Sequence, residues 1–132
     1  MIALDTHVLV RYLVEDDARQ SALATTLIHR AIADDESLFV SDIVVCETVW
    51  VLSIGYKIAR TEISALLRNL FRARHLAFRA TDELLRALGA FVEGNGDFAD
   101  YLIREHGRGA ECEGVATFDK VLLKERGFVA VR

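Results

Sequence analysis

At 132 residues the chain has the length of one ordinary domain, taken as 1–132, with no Pro-rich or Gly/Ser-rich stretch to link a second. Hydrophobic residues make up 52% and charged residues 27%, which excludes a disordered chain and supplies material for a core. The net charge of −4, from 16 basic and 20 acidic residues, excludes a protein that grips nucleic acid by bulk positive charge, but not one whose carboxylates hold divalent cations.

Met1-Ile2-Ala3-Leu4 is an apolar run that stops at Asp5 and reads as a buried strand ending in a carboxylate. Ala24, Leu27, Ile28, Ala31 and Ile32 fall at helical spacing, and Leu38-Phe39-Val40 follows the acidic turn Asp34-Asp35-Glu36 as a second strand. From Ser41, an N-cap by type, an almost wholly apolar helix runs to Ile54 and ends at Gly55. Ile63, Leu66, Leu67, Leu70 and Phe71 trace one face of the next helix, and His75-Leu76-Ala77-Phe78 reads as a third strand. A helix with Leu84, Leu88, Phe91 and Val92 inward leads to the loop Gly94-Asn95-Gly96, and another opens at Asp97. Gly114 to Phe118 is a fourth strand stopping at Asp119, Lys120 to Arg126 a short helix, and Phe128 to Val131 a fifth strand. Short, continuously apolar strands alternating with helices predict an α/β fold with a covered parallel sheet, whose strand ends gather ligands.

The apolar runs fall far short of the roughly 20 residues a membrane span needs. Asp5 and Arg11 also interrupt the N-terminus where a signal peptide carries its apolar core, so a cytoplasmic location is expected. Cys46 and Cys112 have neither zinc-ligand nor CxxC spacing and are expected as reduced thiols.

The chemistry points to acids. If the first and fourth strands are neighbours, Asp5 and Asp119 face each other, an arrangement that is costly unless a hard divalent ion binds the oxygens. Asp119 would equally serve as an N-cap, and Asp5 as a strand-end turn residue. Glu47 stands among Val44, Val45, Cys46, Val49, Trp50, Val51 and Leu52, and a carboxylate buried there needs a partner or a metal. The alternative is a narrow solvent-facing stripe carrying Glu47 and Thr48. Asp97 and Asp100 share a face near a helix start, where they can converge on one ion, although acids are common in first turns and Asp100 can pair with Arg104. No phosphate loop is present around Gly107-Arg108-Gly109, and no serine lies in G-x-S-x-G.

These residues carry a resemblance. Leu4-Asp5-Thr6-His7-Val8-Leu9-Val10-Arg11-Tyr12-Leu13 resembles the opening motif of PIN-domain proteins, Val44-Val45-Cys46-Glu47-Thr48-Val49-Trp50-Val51-Leu52 the second, Gly96-Asp97-Phe98-Ala99-Asp100-Tyr101-Leu102-Ile103 the third, and Ala116-Thr117-Phe118-Asp119 the fourth. Within that family the chain is most similar to the VapC ribonuclease toxins of type II toxin-antitoxin pairs. The resemblance implies a PIN-like α/β/α sandwich with a central parallel sheet of four to five strands. It also implies Mg²⁺ or Mn²⁺ held by Asp5, Glu47 and Asp100, with Asp119 from the fourth motif and Asp97 contributing. Implied, too, are cleavage of structured RNA, a cognate VapB-type antitoxin and a homodimer.

Two departures stand out: His7 occupies a usual Asn position, and Tyr101 replaces a small residue. Arg11, Lys57, Arg60 and Lys120, near the motif ends, are the candidate RNA contacts. A receiver-type signalling module is the rival α/β reading. It fails on a lone Asp5 after strand one, Arg79-Ala80 after strand three and no lysine after strand five. A PIN-like binding module without catalysis stays open through His7, and a flap-type nuclease needs insertions that this length leaves little room for.

Overall fold

Each strand in this chain is only two or three residues long, and its neighbours in sequence are helices. The computed structural model describes residues 1–132 in two compact units, Met1–Arg79 and Ala80–Arg132. No helix is long and apolar enough to cross a membrane, and both cysteines are free thiols.

The first unit runs β1 (Ile2–Ala3), α1 (Thr6–Leu13), α2 (Ala18–Ala33), β2 (Leu38–Phe39), α3 (Asp42–Trp50), α4 (Arg60–Arg72) and β3 (Leu76–Ala77). Its strands form a parallel ladder in the order β1-β2-β3, with Ile2 opposite Leu38 and Leu38 opposite Leu76. The backbone bonds Leu4 N–H to Phe39 O and Val40 N–H to Ala77 O, 2.8 and 2.9 Å, carry the ladder one step further toward Asp5. Leu9, Val10, Ile28, Leu38, Val40, Val45, Leu52, Ile63 and Leu67 are buried together as the core.

Three local features differ from the sequence expectation. Helix α1 stands ahead of the first predicted helix; at eight residues it is too short to show a helical period, and it gains its stability by packing against α2. β1 is an edge strand with exposed Ile2 and Ala3, and burial begins only at Leu4. The helix opened by Ser41, whose hydroxyl accepts from Val44 N–H at 3.2 Å, widens into a π-helical turn over Val51–Gly55. The path ends at Gly55 as expected, but the left-handed residue beyond it is Lys57, at φ 55°.

The second unit runs α5 (Thr81–Glu93), α6 (Phe98–Gly109), β4 (Val115–Thr117) and β5 (Phe128–Ala130), the last two paired in parallel with Val115 opposite Phe128. Only a 3-10 turn, Leu122–Lys124, stands where the helix over Lys120 to Arg126 is predicted. Leu84, Ala87, Leu88, Phe91, Phe98, Tyr101 and Leu102 bury the contact between α5 and α6. The Glu105 side chain is buried there and bonded by Arg86 at 3.0 Å and Arg108 at 3.1 Å, so it is paired rather than stranded.

The α/β class and the parallel pairing are therefore observed. The single sheet of four to five strands is not: the five strands form ladders of three and two. Strands this short offer few backbone groups for lateral bonding, and β1 pairs with β2 while β4 pairs with β5. The condition on which Asp5 and Asp119 would face each other, a β1–β4 pairing, is absent from both ladders.

Candidate metal centre

In the first unit the chain leaves β1 through buried Leu4 and turns at Asp5, whose extended backbone (φ −82°, ψ 161°) makes it the N-cap of α1. One carboxylate oxygen, Oδ1, accepts from Thr6 N–H at 2.8 Å. Thr6 is buried, and its hydroxyl donates to Glu47 Oε1 at 2.9 Å. Thr6 thus touches both carboxylates, one with its backbone and the other with its side chain. It is a site residue that the sequence signals only as the neighbour of Asp5 in the first motif.

Glu47 is exposed, contrary to the burial its neighbours predict. Helix α3 turns Val44, Val45, Thr48 and Val49 inward and leaves Ile43 and Trp50 exposed beside Glu47. The solvent-facing alternative is therefore correct for Glu47 but not for Thr48, which is fully buried. His7 lies at a largely apolar groove of about 330 Å³ between α1 and α2, lined also by Val8, Arg11, Leu23 and Leu27.

Arg11, a candidate RNA contact, is engaged inside the protein. Its guanidinium donates to Gln20 at 2.7 Å, to Tyr56 Oη at 3.1 Å and to Asp16 at 3.3 Å. The Tyr56 hydroxyl donates to Asp16 at 2.6 Å; that bond, with the charge of Arg11, holds the Asp16 carboxyl below its usual range. Lys57 and Lys120 are exposed, and Arg60 is half-buried at the start of α4.

The second unit gathers the other acids. Asp97 is the N-cap of α6, and the Asp100 carboxylate accepts from Asp97 N–H at 3.0 Å in a capping box. Asp119 follows β4, takes the Thr117 hydroxyl as acceptor for its own N–H at 3.0 Å, and accepts from Val121 N–H at 2.9 Å. Asp119 is not the N-cap of the 3-10 turn that follows, which is Val121 with no side-chain bond; its bond from Val121 N–H closes a local turn and occupies one oxygen only. Burial is the main cause that pushes the Asp100 carboxyl up, opposed by the bond from the Asp97 backbone and reinforced by the charges of Asp97, Asp119 and Glu125. Glu125 is an acid of this group that the sequence does not reveal, because it falls outside the motifs, on a stretch predicted only as a short helix.

Within neither unit do three His, Cys, Asp or Glu side chains converge closely enough to hold a metal ion. The donor chemistry nevertheless suits a hard divalent cation. The charged groups that reinforce burial in raising the Asp100 pKa are carboxylates, and their negative field is what an added Mg²⁺ or Mn²⁺ would offset. Each of Asp5, Asp100 and Asp119 spends an oxygen on the backbone, so the helix and turn geometry that presents these carboxylates also restrains them.

Comparison with known families gives one match: the PIN domain, over residues 2–128. The curated proteins contain no match to the chain.

Proposed function

This chain belongs to the PIN-domain family, whose members are in general metal-dependent nucleases, and from that premise we propose that it is a divalent-metal-dependent endoribonuclease. Residues 1–132 are read as a single PIN domain. The reading is supported by a family match from residue 2 to residue 128, and by the carboxylates that stand in each of the four stretches resembling the family's motifs. Asp5, Glu47, Asp100 and Asp119 are the proposed catalytic acids and Mg²⁺ or Mn²⁺ ligands, with Asp97 as a further ligand.

When bound, such an ion lowers the pKa of a water and stabilises charge on the scissile phosphate. The chain's own residues supply the rest. Thr6 holds Glu47 oriented beside Asp5, the capping box fixes Asp100 at the start of α6, and Lys57, Arg60 and Lys120 attract the RNA backbone, with Arg11 bracing the adjoining surface. The similarity to the VapC toxins extends the proposal to a toxin of a type II toxin-antitoxin pair. In that role the chain is a cytoplasmic homodimer, cuts structured RNA, and is held inactive by a VapB-type antitoxin.

Incubation of the purified protein, free of antitoxin, with total RNA in Mg²⁺ or Mn²⁺ tests this reading. Discrete fragments that disappear with EDTA and with Asp5→Asn are expected. Folded protein that leaves RNA intact with both metals would overturn the nuclease assignment and favour a binding module.

A further inference from the structure

Tyr101 is completely enclosed, with the Phe128 ring standing edge-on at 6.4 Å and the Arg104 guanidinium 5.2 Å from its ring centre. A phenylalanine would meet those packing demands. The hydroxyl does something more: it accepts from Gly96 N–H at 2.9 Å and lies 2.7 Å from both carboxylate oxygens of Glu125, its one proton shared between them.

The loop before α6 is shaped around that oxygen. A Cβ at Gly94 would overlap the Tyr101 hydroxyl and crowd Glu125, and one at Gly96 would come within 2.7 Å of Leu122 Cδ2. Glycine at both positions lets the backbone close over the phenol. The segments meeting there are the ones that bear the acids. The loop runs directly into Asp97 and so into Asp100. Glu125 closes the turn that Asp119 opens, with Leu123 N–H bonded to Asp119 O at 3.1 Å and Glu125 N–H to Leu122 O at 2.9 Å.

We propose that Tyr101 is a positioning residue: its hydroxyl fastens the Asp119–Glu125 turn to the loop before Asp97, holding the acid-bearing segments of the second unit ready for a divalent cation. The role rests on the metal-nuclease reading above. It does not require Glu125 to touch the ion. What Tyr101 supplies is orientation of groups around the ligands, the kind of support whose loss weakens metal affinity about tenfold or more.

Mn²⁺ added to the full-length protein, with the free ion followed by electron paramagnetic resonance, tests the proposal. Tyr101→Phe should bind Mn²⁺ about tenfold more weakly than wild type. In metal-free protein the Gly96 amide should exchange with solvent faster in this variant. Glu125→Gln and Glu125→Ala remove the same charge, but only glutamine keeps an acceptor for the hydroxyl. The glutamine variant should therefore bind Mn²⁺ about threefold more tightly than the alanine one, the size of one modest hydrogen bond. Wild-type affinity in Tyr101→Phe, unchanged Gly96 exchange, or equal affinity in the two Glu125 variants would overturn the role while leaving the nuclease reading in place. Wild-type protein that binds no Mn²⁺ would overturn both.

Discussion

Thr6 meets two carboxylates with two different groups, and only the hydroxyl bond is open to substitution. Thr6→Val keeps the buried shape and the N–H to Asp5 but releases Glu47, so RNA cleavage should fall by about ten- to a hundredfold in kcat. Thr6→Ser should recover most of it, as steady-state kinetics on a defined RNA would show. Asp100 makes the opposite trade. Its carboxyl binds a proton more readily in the folded chain than in the unfolded one. The stability linked to that proton is present below the ordinary carboxylate range and lost as pH rises through the raised folded value. At neutral pH the charge is a cost, so Asp100→Asn, which keeps an acceptor for Asp97 N–H, should raise the melting temperature of metal-free protein. The same variant should show a smaller rise than wild type when Mn²⁺ is added, since stabilisation by a ligand follows its affinity for the folded state. At this scale the Ser41 cap was legible in sequence because its hydroxyl acts on its own neighbour, whereas Asp5, read as a strand-end residue, caps a helix too short to show a period. The exposure of Glu47 was not legible, because a helix apolar on nearly every side has no period to reveal its inward face.

Helix ends carry the clearest element-scale strain. α6 closes with Cys112 N–H bonded to Gly107 O at 2.8 Å and Glu111 N–H to Arg108 O at 3.0 Å, a Schellman arrangement that puts Glu111 in the left-handed region at φ 64°. A side chain there costs about 1 kcal/mol relative to glycine. Glu111→Gly should therefore stabilise the protein by about that amount in urea unfolding, with the slope unchanged. α2 ends in the same way, with Asp35 at φ 52° and Glu36 N–H bonded to Ala31 O at 2.8 Å. Aspartate is more at ease there than glutamate, because its short polar side chain tolerates that conformation better. Long, strongly periodic helices such as α4 and α5 were readable from their apolar spacing. α1 escaped because eight residues hold too few turns to mark a face, and the predicted helix after Asp119 shrank to a 3-10 turn as Leu122 alone became buried.

For the whole molecule, a net charge of −4 means that the RNA association proposed above would rest on a few local cations against a repulsive background. Each cation removed from the phosphates of a single-stranded substrate lowers the salt slope of binding by about 0.7. Lys57→Ala combined with Lys120→Ala should therefore flatten the plot of log KM against log salt by about 1.4 if both lysines bind phosphate. A slope equal to that of wild type would remove them as RNA-binding residues. The sequence by itself determined the α/β class, the order of the main helices and strands and the cap at Ser41. Those properties follow from local periodicity and from side chains bonding their own backbone. Tertiary structure alone decided that the strands pair as ladders of three and two, that Glu47 faces outward with Thr6 as its partner, and that Arg11 is absorbed by Asp16, Gln20 and Tyr56. It also decided that Tyr101 reaches Glu125 across 24 positions of chain. Each of these depends on which surfaces meet when distant segments pack, and short strands, a helix apolar all round and a buried phenol leave that choice open until they do.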